Sequence, residues 1–449
     1  MFHKILIANR GEIALRVIRA CREMGIQSVI AHSEADRDSL PVREADEHIC
    51  VGPGASGKSY LNIPNIISAA LISNADAIHP GYGFLSENTS FAEICADARI
   101  TFIGPPPGAM QVMGDKVAAR KTMAELGVPM LPGTSVLRTL EEAKKAVERI
   151  GFPLMLKAAA GGGGRGIRLV EDEADFERLF TLAQNEAREA FRDDGIYLER
   201  YLAKARHIEI QVLVDNYGYG VHLGERNCSC QRRNQKVLEE SPSPHLPPEL
   251  RAEIGQKAVD AVVHVGYRNA GTLEFLVDEQ NRYYFMEMNT RLQVEHPVTE
   301  LVTSTDLVKE QIRIAAGLPL QLKQEAITFR GHAIECRITA EDADADFRPQ
   351  TGTVEKYLPP GGPGVRVDSH LYAGYEVPPH YDSLLAKLIV WDETRELAIA
   401  RMQRALDEYQ IEGLATTIPF HKRLLRHPGF ISGDTYTRFL QEEAESLGI

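Results

Sequence analysis

Apolar and polar positions change period along the chain, and the changes divide it. From Lys4 to Gly104, short β-branched runs (KILIA, SVIAHS, HICV, DAIHP, TFIG) alternate with stretches of helical period such as EIALRVIRACREMG and IPNIISAALIS. That alternation predicts a parallel sheet with helical crossovers. A new segment opens near Asp115 with the helix DKVAARKTMAELG, closed by Gly127 and Pro129. Beyond it lie a glycine-rich region to about Glu199, a strand-rich region to about Glu300, a helix DLVKEQIRIAAG and an α+β part from Gly331. No internal repeat or low-complexity linker interrupts this order.

Size and composition narrow the classes. A chain of 449 residues is long for one hydrophobic core and calls for about two to four domains. No apolar run approaches the ~18 residues of a membrane span, and MFHKILIANRGE turns charged too early for a signal peptide, so the expected location is the cytoplasm with no membrane partner. Six scattered cysteines suit reduced thiols, and Cys228 and Cys230 lack a second pair at metal-ligand spacing. The net charge of −13 argues against a nucleic-acid partner.

Three stretches carry candidate chemistry. KAAAGGGGRGIRLV, from Lys157 to Val170, fits G-x-G-x-x-G at Gly161, Gly163 and Gly166. A dinucleotide fingerprint follows a strand and opens a helix, whereas apolar runs flank these glycines on both sides. The loop is expected to join two strands, either as a plain flexible hairpin or as a cradle whose amides cover a polyphosphate. GPGASGKS, from Gly52 to Ser59, matches a P-loop letter for letter. Yet Asn62 is a natural N-cap with Pro64 in the first turn, so the helix is expected to start after Lys58 rather than at it.

The densest chemistry lies between Gly271 and Glu300. DEQN between two apolar runs signals a hairpin, and a two-residue loop at Gln280–Asn281 predicts Glu274 directly opposite Glu287. Facing carboxylates repel, and Mg²⁺ or Mn²⁺ carrying nucleotide phosphates would relieve them. Continued alternation puts Glu287, Asn289, Arg291, Gln293 and Glu295 on one side, with Met286, Met288, Thr290, Leu292 and Val294 on an apolar core side. The polar row is either a solvated edge or a pocket for a small planar anion beside a metal. Lys116 and Lys157, each alone, read as snorkelling side chains; with the loop and the carboxylates they suggest ammonium groups on phosphate oxygens.

KILIANRGEIALRVIRACRE, AIHPGYGFLSEN, MGDK, KAAAGGGGRG, RHIEIQV, ERNCSCQRRNQKV, MEMNTRLQVEHPVTE, GHAIECRI and HYDSLLAKLI together resemble biotin carboxylase, an ATP-grasp ligase, from Met1 to about Phe430. The resemblance implies a fold of mixed α/β and α+β class. Its parts would be an N-terminal Rossmann-like parallel-sheet domain at 1–114, an ATP-grasp region at 115–330 with a mobile glycine-loop lid at about 130–200, and a C-terminal α+β domain at 331–449. It implies nucleotide contacts from Lys116, Lys157, Glu199, His207, Gln231 and Leu276, with the backbone of Gly162, Gly163, Gly164, Arg165 and Gly166 closing over the phosphates. Glu274, Glu287 and Asn289 resemble the metal ligands, for two metal ions, and Lys236, Arg291, Gln293, Val294 and Glu295 the bicarbonate pocket. Glu295 matches the general base, Arg337 the group that stabilises carboxyphosphate and the biotin enolate, and Tyr82 the biotin approach.

What the resemblance implies about activity is an ATP- and bicarbonate-dependent carboxylation of biotin through carboxyphosphate. That is the first half-reaction of acetyl-CoA carboxylase or a related carboxylase. Biotin is carried by a lysine in a Met-Lys-Met setting, which this sequence lacks, so a separate biotin carboxyl carrier protein and a carboxyltransferase are the expected partners. Arg19, Glu23 and Arg366 match a homodimer contact, while Pro363 departs from a frequent aromatic there, and Asn234 stands where many relatives have histidine. The alternatives are another ATP-grasp ligase, such as a carbamoyl-phosphate synthetase half, or a P-loop ATPase built on Lys58.

Overall fold

The N-terminal pattern folds as a parallel sheet of strands β1 (Lys4–Ile7), β2 (Gln27–Ser33), β3 (Glu47–Gly52), β4 (Ala77–His79) and β5 (Thr101–Phe102), in the order β3-β2-β1-β4-β5. The computed structural model describes residues 1–159 and 166–449. The helix Gly11–Glu23 buries Ile13, Leu15, Val17 and Ile18 and crosses from β1 to β2. After β3, Ser56–Lys58 make a single short turn with Lys58 exposed. The helix starts only at Ile63, where the Asn62 side chain accepts the Asn65 N–H. A P-loop needs its lysine at the helix mouth, so this geometry removes the P-loop reading.

A smaller three-stranded sheet follows: β6 (Leu154–Ala158), β7 (Ile167–Val170) and β8 (Ile196–Arg200), in the order β7-β6-β8. Its helices Leu140–Ile150 and Glu173–Phe191 close over it, and Leu154, Leu156, Phe180, Ile196 and Leu198 form a fully buried core of its own. β6 and β7 are antiparallel, with Lys157 opposite Ile167 and the Ala158 N–H donating to the Gly166 carbonyl at 2.9 Å. The glycine run thus joins two strands and opens no helix. Gly162, Gly163, Gly164 and Arg165, the expected phosphate cover, lie outside the described residues.

The largest sheet has eight strands: β9 (Arg206–Val214), β10 (Gly220–Arg232), β11 (Gln235–Ser241), β12 (Asn269–Val277), β13 (Tyr283–Asn289), β14 (His332–Thr339), β15 (Val365–Ser369) and β16 (Leu384–Asp392). Their order is β13-β12-β9-β10-β11-β14-β16-β15, antiparallel throughout. Period-2 alternation gives it two faces. One is apolar: Ile208, Ile210, Leu273 and Phe275 pack under the helix Pro248–His264, and Ile334, Cys336, Leu388 and Val390 under the helix Arg395–Glu408. The other face carries charge on every strand. Glu287, Glu274, Glu209 and Arg226 are opposite one another across β13, β12, β9 and β10, and Arg337, Lys387 and Asp368 across β14, β16 and β15. Such a face would ordinarily meet solvent; here the helix His296–Thr303 lies against it. Among the described residues no helix is long and apolar enough to cross a membrane.

Two expectations need correction. The β12–β13 loop holds three residues, Glu279 to Asn281, with the Asp278 N–H bonded to the Arg282 carbonyl and Asn281 in the left-handed region at φ 60°. A bulge at Met286 then restores the register, so Glu274 does face Glu287, by a different route from the two-residue turn. The extended reading also stops early: β13 ends at Asn289 and a helix begins at His296 with Pro297 in its first turn. Met288, Thr290 and Leu292 are buried as expected, whereas Met286 and Val294 are only half-buried, at the wall of a cavity.

Candidate active site

The charged face, the N-terminal sheet and the small domain enclose a cavity of about 1340 Å³. A second bulge, at Val237, decides its chemistry. Cys230 pairs with Leu238 but Gln231 with Lys236, so Val237 is the extra residue and Lys236 turns onto the charged face beside Gln231 and Glu239. Its ammonium reaches Glu209 at 2.6 Å, Glu274 at 3.0 Å and Glu295 at 2.6 Å. Burial works against the ammonium, but the three carboxylates outweigh it and hold its pKa well above the usual lysine value. Arg226, fully buried, donates to Glu209 and, at 3.0 Å, to Thr299 on the covering helix.

Glu295, immediately before that helix, is fully buried. One of its oxygens accepts from Lys236 and the other from Arg337 at 2.9 Å. Burial would raise its pKa, yet Lys236, Arg337 and Arg226 keep it well below the carboxylate range. Arg337, which also binds Glu239 at 2.6 Å, lines the cavity together with Lys236, Arg291, Gln293 and Val294. The five residues of the expected bicarbonate pocket therefore converge, with Glu295 behind its two cations. Arg291 is fixed by Glu87, whose carboxylate accepts from its Nε at 2.9 Å and from the Thr290 N–H at 3.0 Å.

Around them, His207 Nε2 stands 3.1 Å from Glu274 and its Nδ1 2.6 Å from Gln231; Lys116 reaches Glu287 at 3.1 Å, and Asn289 donates to Glu274 at 2.8 Å. Lys157 also lines the cavity and is bonded to Glu199. Glu199, Leu276 and Gly166 stand outside its wall: Glu199 is buried between Lys157 and Arg120. Tyr82 lines the opposite side and donates to Glu12, which faces the buried Lys387 at 3.2 Å; Lys387 in turn donates to the Val294 carbonyl at 2.9 Å. Asn234 and Arg233 form the β10–β11 turn, both with positive φ (62° and 50°), a conformation asparagine tolerates well. Arg19 and Glu23 are exposed on one helix face, Pro363 is exposed, and Arg366 binds Glu300 and Asp368 at 2.7 Å each.

The donor set suits a hard divalent cation. Glu274 and Glu287 face each other, Asn289 adjoins them, and His207, Glu209 and Glu274 bring one donor atom each within 4.8 Å of one another. The charge balancing these carboxylates comes from Lys116 and Lys236, side chains that can turn toward phosphate oxygens once a metal supplies it.

Residues 1–110 match the family "Biotin carboxylase, N-terminal domain", 115–323 "Carbamoyl-phosphate synthase L chain, ATP binding domain", and 335–442 "Biotin carboxylase C-terminal domain". A biotin carboxylase of Nostoc sp. is 59% identical over 98% of this chain and 99% of its own. The chain belongs to the biotin carboxylase family. The Campylobacter jejuni biotin carboxylase, solved as a complex with β,γ-ATP, has 50% identity, a TM-score of 0.96, and coverage of 98% of this chain and 99% of its own. The biotin carboxylase domain of Hydrogenobacter thermophilus 2-oxoglutarate carboxylase, solved as a dimer with MgADP, ADP and bicarbonate, has 50% identity, a TM-score of 0.95, and coverage of 100% and 99%. The fold of this family, with its parallel N-terminal sheet and antiparallel ATP-grasp sheet, is the fold described above.

Glu87, Glu209, Arg226, Glu12 and Lys387 escaped sequence reading. All five sit inside the stretches that carry the family resemblance, KILIANRGEIALRVIRACRE, HPGYGFLSEN, RHIEIQV, ERNCSCQRRNQKV and HYDSLLAKLI, so the signal was present, but nothing in the spacing gave any of them a role.

Proposed function

We propose that this biotin carboxylase uses ATP and bicarbonate to carboxylate biotin borne on a separate carrier protein, from which a carboxyltransferase passes the carboxyl group on. The observation that carries the reading is the convergence of Lys236 and Arg337 on the buried Glu295, in one cavity with Arg291, the Glu274–Glu287 pair and Lys116.

Bicarbonate is an anion and competes for the cations that hold Glu295. As Lys236 and Arg291 turn to its oxygens, Glu295 loses a bond and its basicity returns toward that of an ordinary carboxylate, so it accepts the bicarbonate proton. The freed oxygen attacks the γ-phosphorus of ATP, the bond to the β-phosphate oxygen breaks, and ADP and carboxyphosphate form. Lys116 and Lys157 place ammonium charge on the phosphates, with His207 and Gln231 beside the nucleotide. Glu274, Glu287 and Asn289 would hold magnesium, which would neutralise the developing phosphate charge. Carboxyphosphate splits to CO₂ and phosphate, the phosphate takes the ureido N–H proton, and the biotin nitrogen attacks CO₂ while Arg337 holds the enolate oxygen and Tyr82 flanks the entry. Exclusion of water matters because carboxyphosphate hydrolyses, and the small domain with its glycine loop is suited to that closure. We assign the parts as 1–114, 115–330 with the lid at about 130–200, and 331–449, and a homodimer contact to Arg19, Glu23 and Arg366.

The test is ADP release from MgATP and bicarbonate, with and without free biotin, in the parent protein, Glu295→Gln and Lys58→Ala. Biotin-stimulated release that is lost in the first variant and kept in the second supports the reading. Release indifferent to biotin, or lost with Lys58, refutes it.

A further inference from the structure

Two carboxyl groups on the charged face take no part in the reaction above. Glu239 on β11 and Glu335 on β14 are register partners, and both are fully buried. One Glu239 oxygen accepts from Arg337 Nε at 2.6 Å, with the guanidinium Nη2 in ion-pair contact at 2.5 Å. Its other oxygen and both oxygens of Glu335 have no hydrogen-bond partner among the described residues. Two adjacent carboxylates with three undonated oxygens are prohibitively expensive if both are charged. A proton between them removes the conflict.

Among the described residues the neighbouring cations are committed elsewhere. Glu335 is faced by Glu239 from β11, Arg337 from its own strand, Lys387 from β16, Glu295 from the loop before the covering helix, and Tyr82 from the N-terminal domain. Lys387 is committed to the Val294 carbonyl, Glu12 and Asp368, and Arg337 to Glu239 and Glu295. Burial, reinforced by Glu239 and Glu295, overrides both cations and drives the Glu335 carboxyl well above its ordinary range; burial likewise pushes Glu239 up to about 7.

We propose that Glu239 and Glu335 share one buried proton at neutral pH, and that this proton is a positioning device, keeping Arg337 turned to Glu295 and Lys387 to the bicarbonate loop. Its loss places a second negative charge beside both cations and draws them off Glu295 and Val294. Glu335 is thus a positioning residue that acts through Arg337 and Lys387. Its effect on turnover rests on the reading of Arg337 and Glu295 given above; the existence of the proton does not.

Infrared spectroscopy in D₂O tests the proton directly. The parent protein at neutral pH is expected to show the carbonyl stretch of a protonated carboxylic acid, with intensity lost in Glu335→Gln. In Glu239→Gln the neighbouring charge is gone, and the band should titrate away at lower pH than in the parent. The second arm is the pH profile of kcat/KM for biotin: it falls on the alkaline side in the parent and in Glu335→Asp, and not in Glu335→Gln, which mimics the neutral acid. A parent without the band, a band indifferent to both glutamine substitutions, or an alkaline fall unchanged in Glu335→Gln overturns the proposal. Absence of biotin-dependent turnover in the parent refutes the functional reading alone, and the infrared arm still decides the proton.

Discussion

Lys236 holds the buried carboxylates of Glu209, Glu274 and Glu295; without it Glu209 keeps only Arg226 and Glu295 only Arg337 as cationic partners, and Glu274 loses its ammonium. Removing one partner from a buried ionic cluster costs about 3–5 kcal/mol, far more than the cluster itself contributes. Lys236→Met should therefore lower the denaturant midpoint by that equivalent and abolish turnover, whereas Glu295→Gln, which keeps shape and removes the assigned base, should lose about 10²–10⁴ in biotin-dependent rate with a smaller fall in the midpoint, because Lys236 keeps Glu209 and Glu274 and Arg337 keeps Glu239. Glu87 holds Arg291 and the Thr290 N–H beside it, both on the bicarbonate side of the cavity. A hydrogen bond to a charged group contributes about 1.5–3 kcal/mol, so Glu87→Gln should raise KM for bicarbonate about tenfold or more and leave KM for ATP near the parent value. A parallel rise in both constants would show that Glu87 acts on the whole cavity instead.

Elements are tied by other groups on the apolar side. Glu240 on β11 accepts from His332 on β14 at 2.9 Å and from Arg395, at the start of the helix Arg395–Glu408, at 2.7 Å. Burial opposes its charge, but His332 and Arg395 outweigh that and lower its pKa from 4.5 to about 2. A carboxylate held lower in the folded state stabilises above its unfolded value and loses that stabilisation as pH falls from 4.5 through about 2. The contribution near neutral pH is on the order of 3 kcal/mol. Glu240→Gln should accordingly lower Tm at pH 7, with the parent and variant curves converging as the pH approaches 2; a constant gap across that range would refute the ionic account. At this scale the sequence was readable where period and local turn chemistry agree, as in β1 to β5 and in the Asn62 cap that displaced the helix from Lys58. It misled where one extra residue changes the phase. The bulges at Met286 and Val237 flip everything beyond them, and nothing in a period-2 count announces them. The polar phase of β9 to β16 has the same alternation a solvated face would have, and only the covering helix, contributed by a segment that read as continued strand, makes it an active-site floor. Proline in EHPVT was the local sign of that helix.

Across the whole molecule, ion pairs run from the covering helix to the outer face of the N-terminal domain. Glu295 begins the covering helix; one turn on, Glu300 binds Arg366 at 2.7 Å and Arg16 at 2.9 Å, and Arg16 continues to Asp306 at 2.7 Å. Lys309 then reaches Glu23 at 2.5 Å, on the exposed helix face that also carries Arg19. Arg366 is thus both a support of the helix that presents Glu295 and a member of the assigned dimer contact. Its charge is held by Asp368 and Glu300 strongly enough to override burial. Arg366→Ala leaves Glu300 with Arg16 alone and Asp368 with Lys387 alone, so the helix loses one of its two charged anchors while Glu295 keeps both of its own partners. The expected result is a sedimentation mass that shifts from twice 49.8 kDa toward that of one chain, with kcat reduced and KM for ATP little changed, because the assigned nucleotide residues Lys116, Lys157, His207 and Gln231 lie away from β15, the strand of Arg366. Arg19→Glu, on the exposed face and outside the Glu300 network, should lower the mass in the same way with a smaller effect on kcat. If both variants remain dimeric, the contact lies elsewhere; if both lower kcat equally, dimer formation itself, and not the Arg366–Glu300 pair, is what reaches the site.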